Sequence, residues 1–325
     1  MGEPYKLCLD VGITQTRVWL VDRHTIIAKA STMQGIRGGA DAAAHSIDET
    51  IQACLRSAAL GEESRIDFIA AAGMVTSELG PYFLPHLHGA TGMERLAKHV
   101  VKRQYVGCVC APLFVVPGLR FGDAENRDER DGMRGEETLF FGLQDKGLIH
   151  RGEGLLNLGS HWKLIVSNAE GEIQGSYTGI GGELALAISR ETLLKSALPE
   201  VRPSVLNIES LKRGEQRSVE NGLGRSLFLL RMDTQNEPLT QEAVYWQMLG
   251  AIVGDALPFI VRQLRHGDNR RVLIAGYSAL ASGWAYTLSG HGIGSTILTD
   301  GQIEESFCAG LVRIVESAMK LQAVS

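Results

Sequence analysis

This 325-residue sequence has few cysteines, no long apolar run and no excess of positive charge, and each of these features excludes a class of protein. Only five cysteines occur, an odd number, which favours free thiols in a reducing compartment over a disulfide framework. No apolar run approaches the ~18–20 residues of a membrane-spanning helix, and the polar first residues argue against a signal peptide. Positive charge is not in excess, because the net charge is −5, so neither nucleic acid nor an anionic membrane is an expected partner.

Two of the cysteines, Cys108 and Cys110, lie two positions apart in an apolar run that resembles a strand. They could be metal ligands, but no matching Cys or His pair occurs elsewhere in the sequence. We therefore expect both to be buried core thiols.

The stretch from Leu7 to Asp22 is the most informative part of the first half. Two apolar runs separated by a glycine-containing turn predict two antiparallel strands. Asp10, at the end of the first strand, offers a carboxylate for a hydrated cation, while Gly12 lets backbone N–H groups approach an anion. Two hydroxyls and a positive charge follow, on Thr14, Thr16 and Arg17. A phosphate-binding hairpin is one interpretation, and an ordinary strand-turn-strand unit is the other.

A second copy of this pattern runs from Gly154 to Asn168. An apolar strand again leads into a glycine turn with a hydroxyl, at Gly159 and Ser160, and Lys163 begins the next apolar run. An internal repeat half a chain apart indicates a duplication. The chain length and the hydrophobic content of 44% are also sufficient for two domains.

Each half continues with a third strand and then with alternating helices and strands. This pattern predicts an α/β protein of two duplicated actin/hexokinase-like (ribonuclease-H-like) domains, each a mixed five-stranded sheet with flanking helices, and a cleft between them. We place the domains at residues 1–147 and 148–325, and we expect that the last helix could pack on the first domain.

Phosphoryl transfer also needs a proton acceptor and contacts to both substrates. Glu136 and Glu137 are adjacent carboxylates at a predicted strand-to-helix junction, where either could accept a hydroxyl proton or simply occupy a helix first turn. Arg134 could bind a substrate carboxylate through two hydrogen bonds. Further candidates are the helix start at Gly181, Gly182 and Glu183, the turn at Gly276, and His161 with Lys163, which a strand would place on one face. For each of these an ordinary structural role is the alternative.

These motifs resemble the 2-dehydro-3-deoxygalactonokinases, a family of sugar-acid kinases, over most of the chain. The family's Met-Arg-Gly-Glu-Glu-Thr occurs unchanged from Met133 to Thr138. Its Asp-Trp-Gly-Thr/Ser signature corresponds to 10–14, its Pro-Gly-Thr-His-Ser-Lys-Trp to 158–164, and its Met-Thr-Gly-Glu-Leu to 180–184.

The resemblance implies ATP- and Mg²⁺-dependent phosphorylation of 2-dehydro-3-deoxy-D-galactonate at its 6-hydroxyl, by a cytoplasmic enzyme of galactonate breakdown. It implies Glu137 as the base, with Glu136 as the alternative, and Asp10 as the metal ligand. It also implies that the hairpins, helix start and turn named above bind the nucleotide. The substrate contacts that it implies are Arg134, His161, Lys163, Gly73, Met74 and Ser77. A homodimer remains open.

Two departures from the family pattern leave the identity of the sugar acid open. The loop after Ser77 is shorter than is usual and lacks the family's tryptophan, and Trp162 replaces a small residue beside His161. The alternatives are therefore a kinase for another keto-deoxy sugar acid or small polyol, and a nucleotide-binding regulator without turnover. The intact carboxylates of Asp10, Glu136 and Glu137 argue against the regulator.

Overall fold

The structure is a computed structural model that describes residues 4–58, 60, 65–122, 125, 129–236, 238–266 and 271–324. The chain divides into two compact units. Unit 1 comprises Met1–Arg151, Ala169–Gly175 and Gly301–Ser325, and unit 2 comprises Gly152–Asn168 and Ser176–Asp300. The predicted boundary at residues 147/148 lies near the first of these divisions, and the last helix belongs to unit 1.

Six strands of unit 1 form one mixed sheet: β1 (Tyr5–Val11), β2 (Thr16–Asp22), β3 (Thr25–Thr32), β4 (Ile66–Gly73), β6 (Val101–Gln104) and β7 (Pro112–Val115). Their spatial order is β3-β2-β1-β4-β7-β6. Strand β1 pairs antiparallel with β2 and parallel with β4, and β4 pairs parallel with β7. Three short strands, β5 (Leu87–His88), β8 (Leu119–Phe121) and β9 (Asp131–Met133), form a second sheet in the order β5-β8-β9.

Unit 2 repeats the central part of this plan. Its sheet consists of β10 (Gly154–Leu158), β11 (Trp162–Ser167), β12 (Ile173–Gly179, which enters unit 2 at Ser176), β13 (Arg271–Gly276) and β14 (Gly294–Ile297), in the order β12-β11-β10-β13-β14. Strand β10 pairs antiparallel with β11 and parallel with β13, as β1 does with its own neighbours. The predicted duplication of a mixed sheet is therefore confirmed.

The helices of unit 1 are α1 (Ala40–Ala58), α2 (Met93–Lys98), α3 (Glu136–Asp145) and, at the end of the chain, α9 (Asp300–Val324). Helix α1 buries Ala43, Ile47, Ile51 and Cys54, spaced at three or four residues, against the sheet. Helix α9 is tied to the unit by ion pairs that include Lys6–Glu316 (2.7 Å) and Lys146–Glu305 (2.8 Å).

The sixth strand of unit 1 corrects the sequence interpretation, which predicted a five-stranded sheet. Helix α2 ends at Lys98 and β6 begins at Val101, where it pairs antiparallel with β7. Four residues give little sequence signal by themselves, and it is the pairing with a neighbouring strand, which is tertiary context, that makes them a strand.

The prediction that Cys108 and Cys110 are buried was wrong, because both are exposed. They lie in the connection between β6 and β7 rather than in a strand. Asp48 on α1 holds this connection in place: its Oδ1 accepts the Cys108 N–H (2.6 Å) and the Tyr105 hydroxyl (2.8 Å).

The helices of unit 2 are α4 (Gly181–Glu191), α5 (Ile208–Asn221), α6 (Leu223–Asn236), α7 (Gln241–His266) and α8 (Ser278–Gly290). Helices α5 and α7 pack at very short range through glycines, because a Cβ added at Gly214 would lie 1.9 Å from the Gln247 carbonyl oxygen. Contrary to the sequence expectation, α7 is long and apolar enough to cross a membrane by length and composition alone. However, 72% of its most apolar window is buried, as in the core helix of a globular protein.

Candidate active site

The first cluster of predicted residues lies in unit 1, where β1 and β4 end side by side. Asp10 is paired with Ala72 and Val11 with Gly73 in the parallel register. Gly73 has a φ of +90°, and a Cβ there would lie 2.7 Å from the Val11 carbonyl oxygen and 3.0 Å from Asp10 Oδ1. Only glycine fits this conformation and this contact, so the backbone of β4 closes directly on the Asp10 carboxylate.

Asp10 is the electrostatic centre of this cluster, which we call the Asp10 cluster: Asp10, Arg17, Gly73, Gly135 and Glu136. The Asp10 side chain is 15% exposed, and Arg17 Nη2 lies 2.5 Å from its Oδ2. Burial raises the pKa of Asp10 above its usual range, and the negative charge of Glu136 adds to this shift, while Arg17 opposes it. A buried carboxylate beside a second carboxylate is a site at which an additional cation is favourable.

The turn from Met133 to Thr138 brings both candidate bases to this place. Gly135 has a φ of +102°, and a Cβ there would lie 3.3 Å from the Gly73 Cα, so the turn packs on the end of β4. Helix α3 begins immediately afterwards, with Glu136 and Glu137 in its first turn. Glu136 is half-buried, whereas Glu137 has no exposed surface.

Arg134 is anchored within unit 1 by residues that the sequence did not single out. Its Nη1 donates to Thr76 Oγ1 (2.8 Å), and its Nη2 donates to the Leu84 carbonyl (2.9 Å) and lies 3.2 Å from His86 Nδ1. Both bidentate edges of a guanidinium include an Nη2 hydrogen, and both of these hydrogens are directed at protein acceptors. Arg134 therefore joins the 76–86 segment to the turn that carries Glu136.

The remaining unit 1 candidates differ in how accessible they are. Thr14 is exposed in the first hairpin turn and Met74 is partly exposed. Thr16 is fully buried and donates its hydroxyl to the Gln34 carbonyl (2.8 Å), and Ser77 donates to the Met74 carbonyl (2.7 Å). The Gly12 N–H is bonded to the Gln15 carbonyl (2.7 Å). We assign these three groups to holding the hairpin and the 74–77 turn in shape.

The second cluster lies in unit 2 and contains most of the predicted nucleotide-binding residues. The Glu183 N–H donates to the Ser160 carbonyl (2.9 Å), and a Cβ at Gly182 would lie 2.4 Å from the Gly159 carbonyl oxygen. Gly276, with a φ of +129°, is paired with Leu158, the last residue before the hairpin turn. We call Gly159, Ser160, Gly181, Gly182, Glu183 and Gly276 the glycine cluster.

This cluster lies at the carboxyl ends of β10 and β13 and beside the first turns of α4 and α8. Ligands of open α/β sheets bind at this edge, and helix N-termini there direct N–H groups and a positive dipole at anions. The close backbone contacts at Gly182 and Gly276 also explain why these positions carry no side chain.

The alternation of side chains along a strand predicted that His161 and Lys163 share one face, but His161 lies outside the strand. Strand β11 begins at Trp162, so His161 lies in the hairpin turn, where its Nε2 is 3.6 Å from Glu183 Oε1. Lys163 is only 5% exposed and lies on the face opposite to Trp162. Trp162 is packed in the core of unit 2 against Trp284, and its indole covers Gly181. Trp162 is thus a core residue rather than a lining residue of the sugar site.

Among the described residues, no three or more His, Cys, Asp or Glu side chains form a group that could hold a metal ion. A dedicated metal cage is therefore absent from that part of the chain. Mg²⁺ in phosphoryl-transfer enzymes is commonly held by one or two carboxylates, with water and substrate phosphates as its other ligands. The adjacent carboxylates of Asp10 and Glu136 fit that mode of binding.

A duplicated sheet in the order β3-β2-β1-β4-β7 and β12-β11-β10-β13-β14 places the chain in the actin/hexokinase-like fold class. Within that class, the model of the 2-keto-3-deoxy-galactonokinase family matches residues 10–314. The chain belongs to this family, and it is therefore a phosphotransferase with an alcohol group as acceptor. A comparison with curated proteins gave no match.

Solved structures support the same fold. A candidate 2-dehydro-3-deoxygalactonokinase from Sinorhizobium meliloti superposes with a TM-score of 0.77 at 19% sequence identity, and the alignment covers 96% of each chain. Component A of (R)-2-hydroxyglutaryl-CoA dehydratase from Acidaminococcus fermentans is more distant, with a TM-score of 0.52 and 14% identity over 97% of this chain and 100% of that one. At these identities the likeness concerns the fold alone.

Proposed function

We propose that the protein is a cytoplasmic kinase that uses ATP and Mg²⁺ to phosphorylate 2-dehydro-3-deoxy-D-galactonate at its 6-hydroxyl, in the breakdown of galactonate. The observation that carries this proposal is the Asp10 cluster. In a member of the 2-keto-3-deoxy-galactonokinase family, two carboxylates and an arginine converge at the ends of β1 and β4. This arrangement supplies what phosphoryl transfer requires of a protein, namely a place for a divalent cation, a proton acceptor and a positive charge.

The two clusters take different parts of the reaction in this proposal. Asp10, with Glu136 beside it, would hold Mg²⁺, whose chemistry is to neutralise the negative charge of the phosphates. Arg17, which is 45% exposed, lies beside Asp10 and can orient toward an incoming phosphate. The glycine cluster of unit 2 would bind the nucleotide through backbone N–H groups and through the exposed turn at Gly159 and Ser160.

The sugar acid would lie in unit 1, near Met74 and the Arg134 network. Because the Nη2 hydrogens of Arg134 are directed at Leu84 and His86, a carboxylate could meet only its Nε–H and its second Nη1–H. We therefore propose a single hydrogen bond from Arg134 to the substrate rather than a bidentate clamp. His161, half-exposed in the hairpin turn of unit 2, remains a proposed substrate contact.

A second candidate is a kinase for another keto-deoxy sugar acid of similar size. The short loop after Ser77 favours it, because the 3-10 turn Met74–Thr76 leads at once into a tight turn, in which the Gly80 N–H donates to the Ser77 carbonyl (3.0 Å). Trp162, the other departure from the family pattern, carries no weight, because it is a core residue.

The test is a coupled assay of ADP release with ATP, Mg²⁺ and a panel of keto-deoxy sugar acids, followed by NMR of the product to locate the phosphate. We expect turnover with 2-dehydro-3-deoxy-D-galactonate and phosphate on C6. Asp10→Asn is the negative control. Turnover with a different member of the panel would favour the second candidate, and silence across the panel by a protein that binds ATP would contradict both.

A further inference from the structure

A groove opens in unit 2 where helices α5 and α7 separate after a close crossing. A Cβ added at Gly250 would lie 2.0 Å from the Leu211 carbonyl oxygen, and one at Gly254 would lie 2.6 Å from the Glu215 carbonyl oxygen. Beyond Gly254, α7 contains no further glycine, so side chains hold the two helices apart. The groove between them has a volume of about 880 Å³, and His291, directly after α8, also lines it. This volume is in the range of small-molecule sites, and we call the cavity the α5–α7 groove.

Apolar side chains form one side of the α5–α7 groove. Leu257 and Val261 of α7 are buried and form its floor, and Pro258 lies between them in sequence. Val219 of α5 lies on the other helix and is 63% exposed. Covering these side chains would remove apolar surface from water, which favours a ligand with an apolar body.

Two arginines of α7 supply the positive charge of the groove. Arg262 and Arg265 are three residues apart, and residues at this spacing are neighbours on one side of a helix. The Arg262 guanidinium lies 5.1 Å from the centre of the Phe259 ring, and Arg265 Nη2 donates to the His291 carbonyl (3.2 Å). Among the residues that the structure describes, neither arginine is ion-paired with a carboxylate. An acidic group on a ligand would therefore meet two guanidinium groups that have no competing anion.

The acidic residues of the groove lie on α5, across from the two arginines. Glu215 Oε2 accepts the Thr287 hydroxyl (2.9 Å), and Glu220 Oε1 accepts the side-chain amide of Gln216 (2.9 Å). Their negative charges would repel a polyanion such as a nucleoside triphosphate, whereas a single acidic group can stay on the arginine side. The charges of the groove therefore favour a monoanion.

We propose that the α5–α7 groove is a second ligand site, which binds an amphipathic organic monoanion with an apolar body and one acidic group at its end, such as a medium-chain carboxylate. The acidic group pairs with Arg262 and Arg265. The apolar body lies on the floor of the groove and covers Val219.

This site and the glycine cluster lie at opposite ends of α8. The helix begins at Ser278, two residues after Gly276, whereas Thr287 is in its last turn and His291 follows it. A helix of 13 residues is about 20 Å long. A ligand in the groove therefore does not overlap the glycine cluster, and the inference does not rest on the proposed function.

The test is a fluorescence titration of the full chain with 8-anilinonaphthalene-1-sulfonate, a probe with aromatic rings and one sulfonate that reports binding to apolar surface. We expect saturable binding at one strong site. Octanoate should displace the probe, because it has the same combination of an apolar body and one acidic group. Octylammonium, pyrophosphate and ATP should not displace it, because each lacks that combination.

Substitutions at exposed positions place the probe in the groove. The double variant Arg262→Gln/Arg265→Gln removes both charges and should raise the Kd of the probe at least ~10-fold. Val219→Asp puts a carboxylate on the apolar side and should also raise it. Arg225→Gln is the matched control, because Arg225 of α6 is likewise exposed and lies over an aromatic ring, that of Phe228, at 5.7 Å. It should leave the Kd unchanged, and all these variants should melt close to the wild type.

Several results would overturn the proposal. One is an unchanged Kd in the double arginine variant, and another is an equal loss of affinity in Arg225→Gln, which would indicate unspecific attraction of the probe to surface arginines. Displacement of the probe by ATP would place it at a nucleotide site instead. If light scattering shows a dimer that Val219→Asp converts to a monomer, a second copy of the chain covers the groove and the ligand assignment is wrong.

Discussion

Helices α3 and α9 of unit 1 cross at very short range, and a substitution at this crossing tests how the Met133–Thr138 turn, which carries Glu136 and Glu137, is supported. A Cβ added at Gly310 would lie 2.1 Å from the Thr138 carbonyl oxygen and 2.7 Å from the Gly142 nitrogen. Ordinary contact begins at 3.4 Å, so Gly310→Ala would force the helices about 1.3 Å apart (3.4 minus 2.1). The displaced atoms are backbone atoms, which cannot move aside as a flexible side chain can.

The expected cost follows from two opposing effects. Overpacking of a close contact costs ~1–3 kcal/mol, and we take the upper end because the contact is with backbone. Replacing glycine by alanine inside a helix recovers ~1 kcal/mol. The net loss of about 2 kcal/mol corresponds to a melting temperature ~4–8 °C lower for a unit of this size. Since Thr138 directly follows Glu137, we expect kcat to fall as well.

Thermal denaturation and the ADP-release assay measure the two effects. Gly301→Ala is the matched control, because it lies in the same helix and a Cβ there meets nothing within 4 Å. It should melt at or slightly above the wild-type temperature. If Gly310→Ala melts as high as Gly301→Ala, the close approach of α3 and α9 is not what holds the turn, and the reasoning is refuted.

Three further predictions concern individual side chains. Because folding raises the pKa of Asp10, the stabilisation from this carboxyl is fully present below its unfolded pKa and is lost as pH rises through the folded value. Asp10→Asn should therefore melt at or above the wild type at pH 7 without Mg²⁺, show a smaller difference near pH 4, and be inactive; lower melting at pH 7 would contradict this. Although Cys108 is exposed as a residue, partial desolvation of its thiol and the Asp48 carboxylate raise its pKa to about 11, so in a Cys110→Ser background iodoacetamide should label it slowly at pH 8. Asp48→Asn should speed the labelling, and rapid labelling without it would speak against the assignment. Arg134→Lys cannot keep contacts to Thr76, Leu84 and His86 together, so kcat and melting temperature should both fall, whereas a mere charge effect on substrate binding would leave lysine as a good substitute.

The parts of the fold that the sequence predicted well are those that depend on local pattern. The hairpins at 7–22 and 154–168 are marked by alternating apolar runs around a glycine turn, and both occur as predicted. The helix predicted at Glu136 and Glu137 also occurs, with both residues in its first turn.

The misinterpreted parts depend on contacts between distant residues. Strand β6 exists because residues 101–104 pair with β7, and the exposed Cys108 follows from a turn tied to Asp48, sixty positions earlier in the chain. Trp162 reads as a substrate neighbour in the sequence, but it packs on Trp284 and Gly181. His86 gave no sequence signal at all, because its role arises from a contact with Arg134, forty-eight residues away.

The sequence by itself determined the duplicated sheet plan, the family and the set of candidate groups, because these depend on periodicity, repetition and short motifs. Only the tertiary structure decided which of those groups are exposed and which are buried or hydrogen-bonded within the protein. Whether Glu136 or Glu137 is accessible depends on which carboxylate the Gly135 N–H captures, and whether Arg134 is free depends on Thr76, Leu84 and His86. Hydrogen bonds and burial depend on how the whole chain packs. They are what distinguishes two neighbouring residues of the same type, such as Glu136 and Glu137.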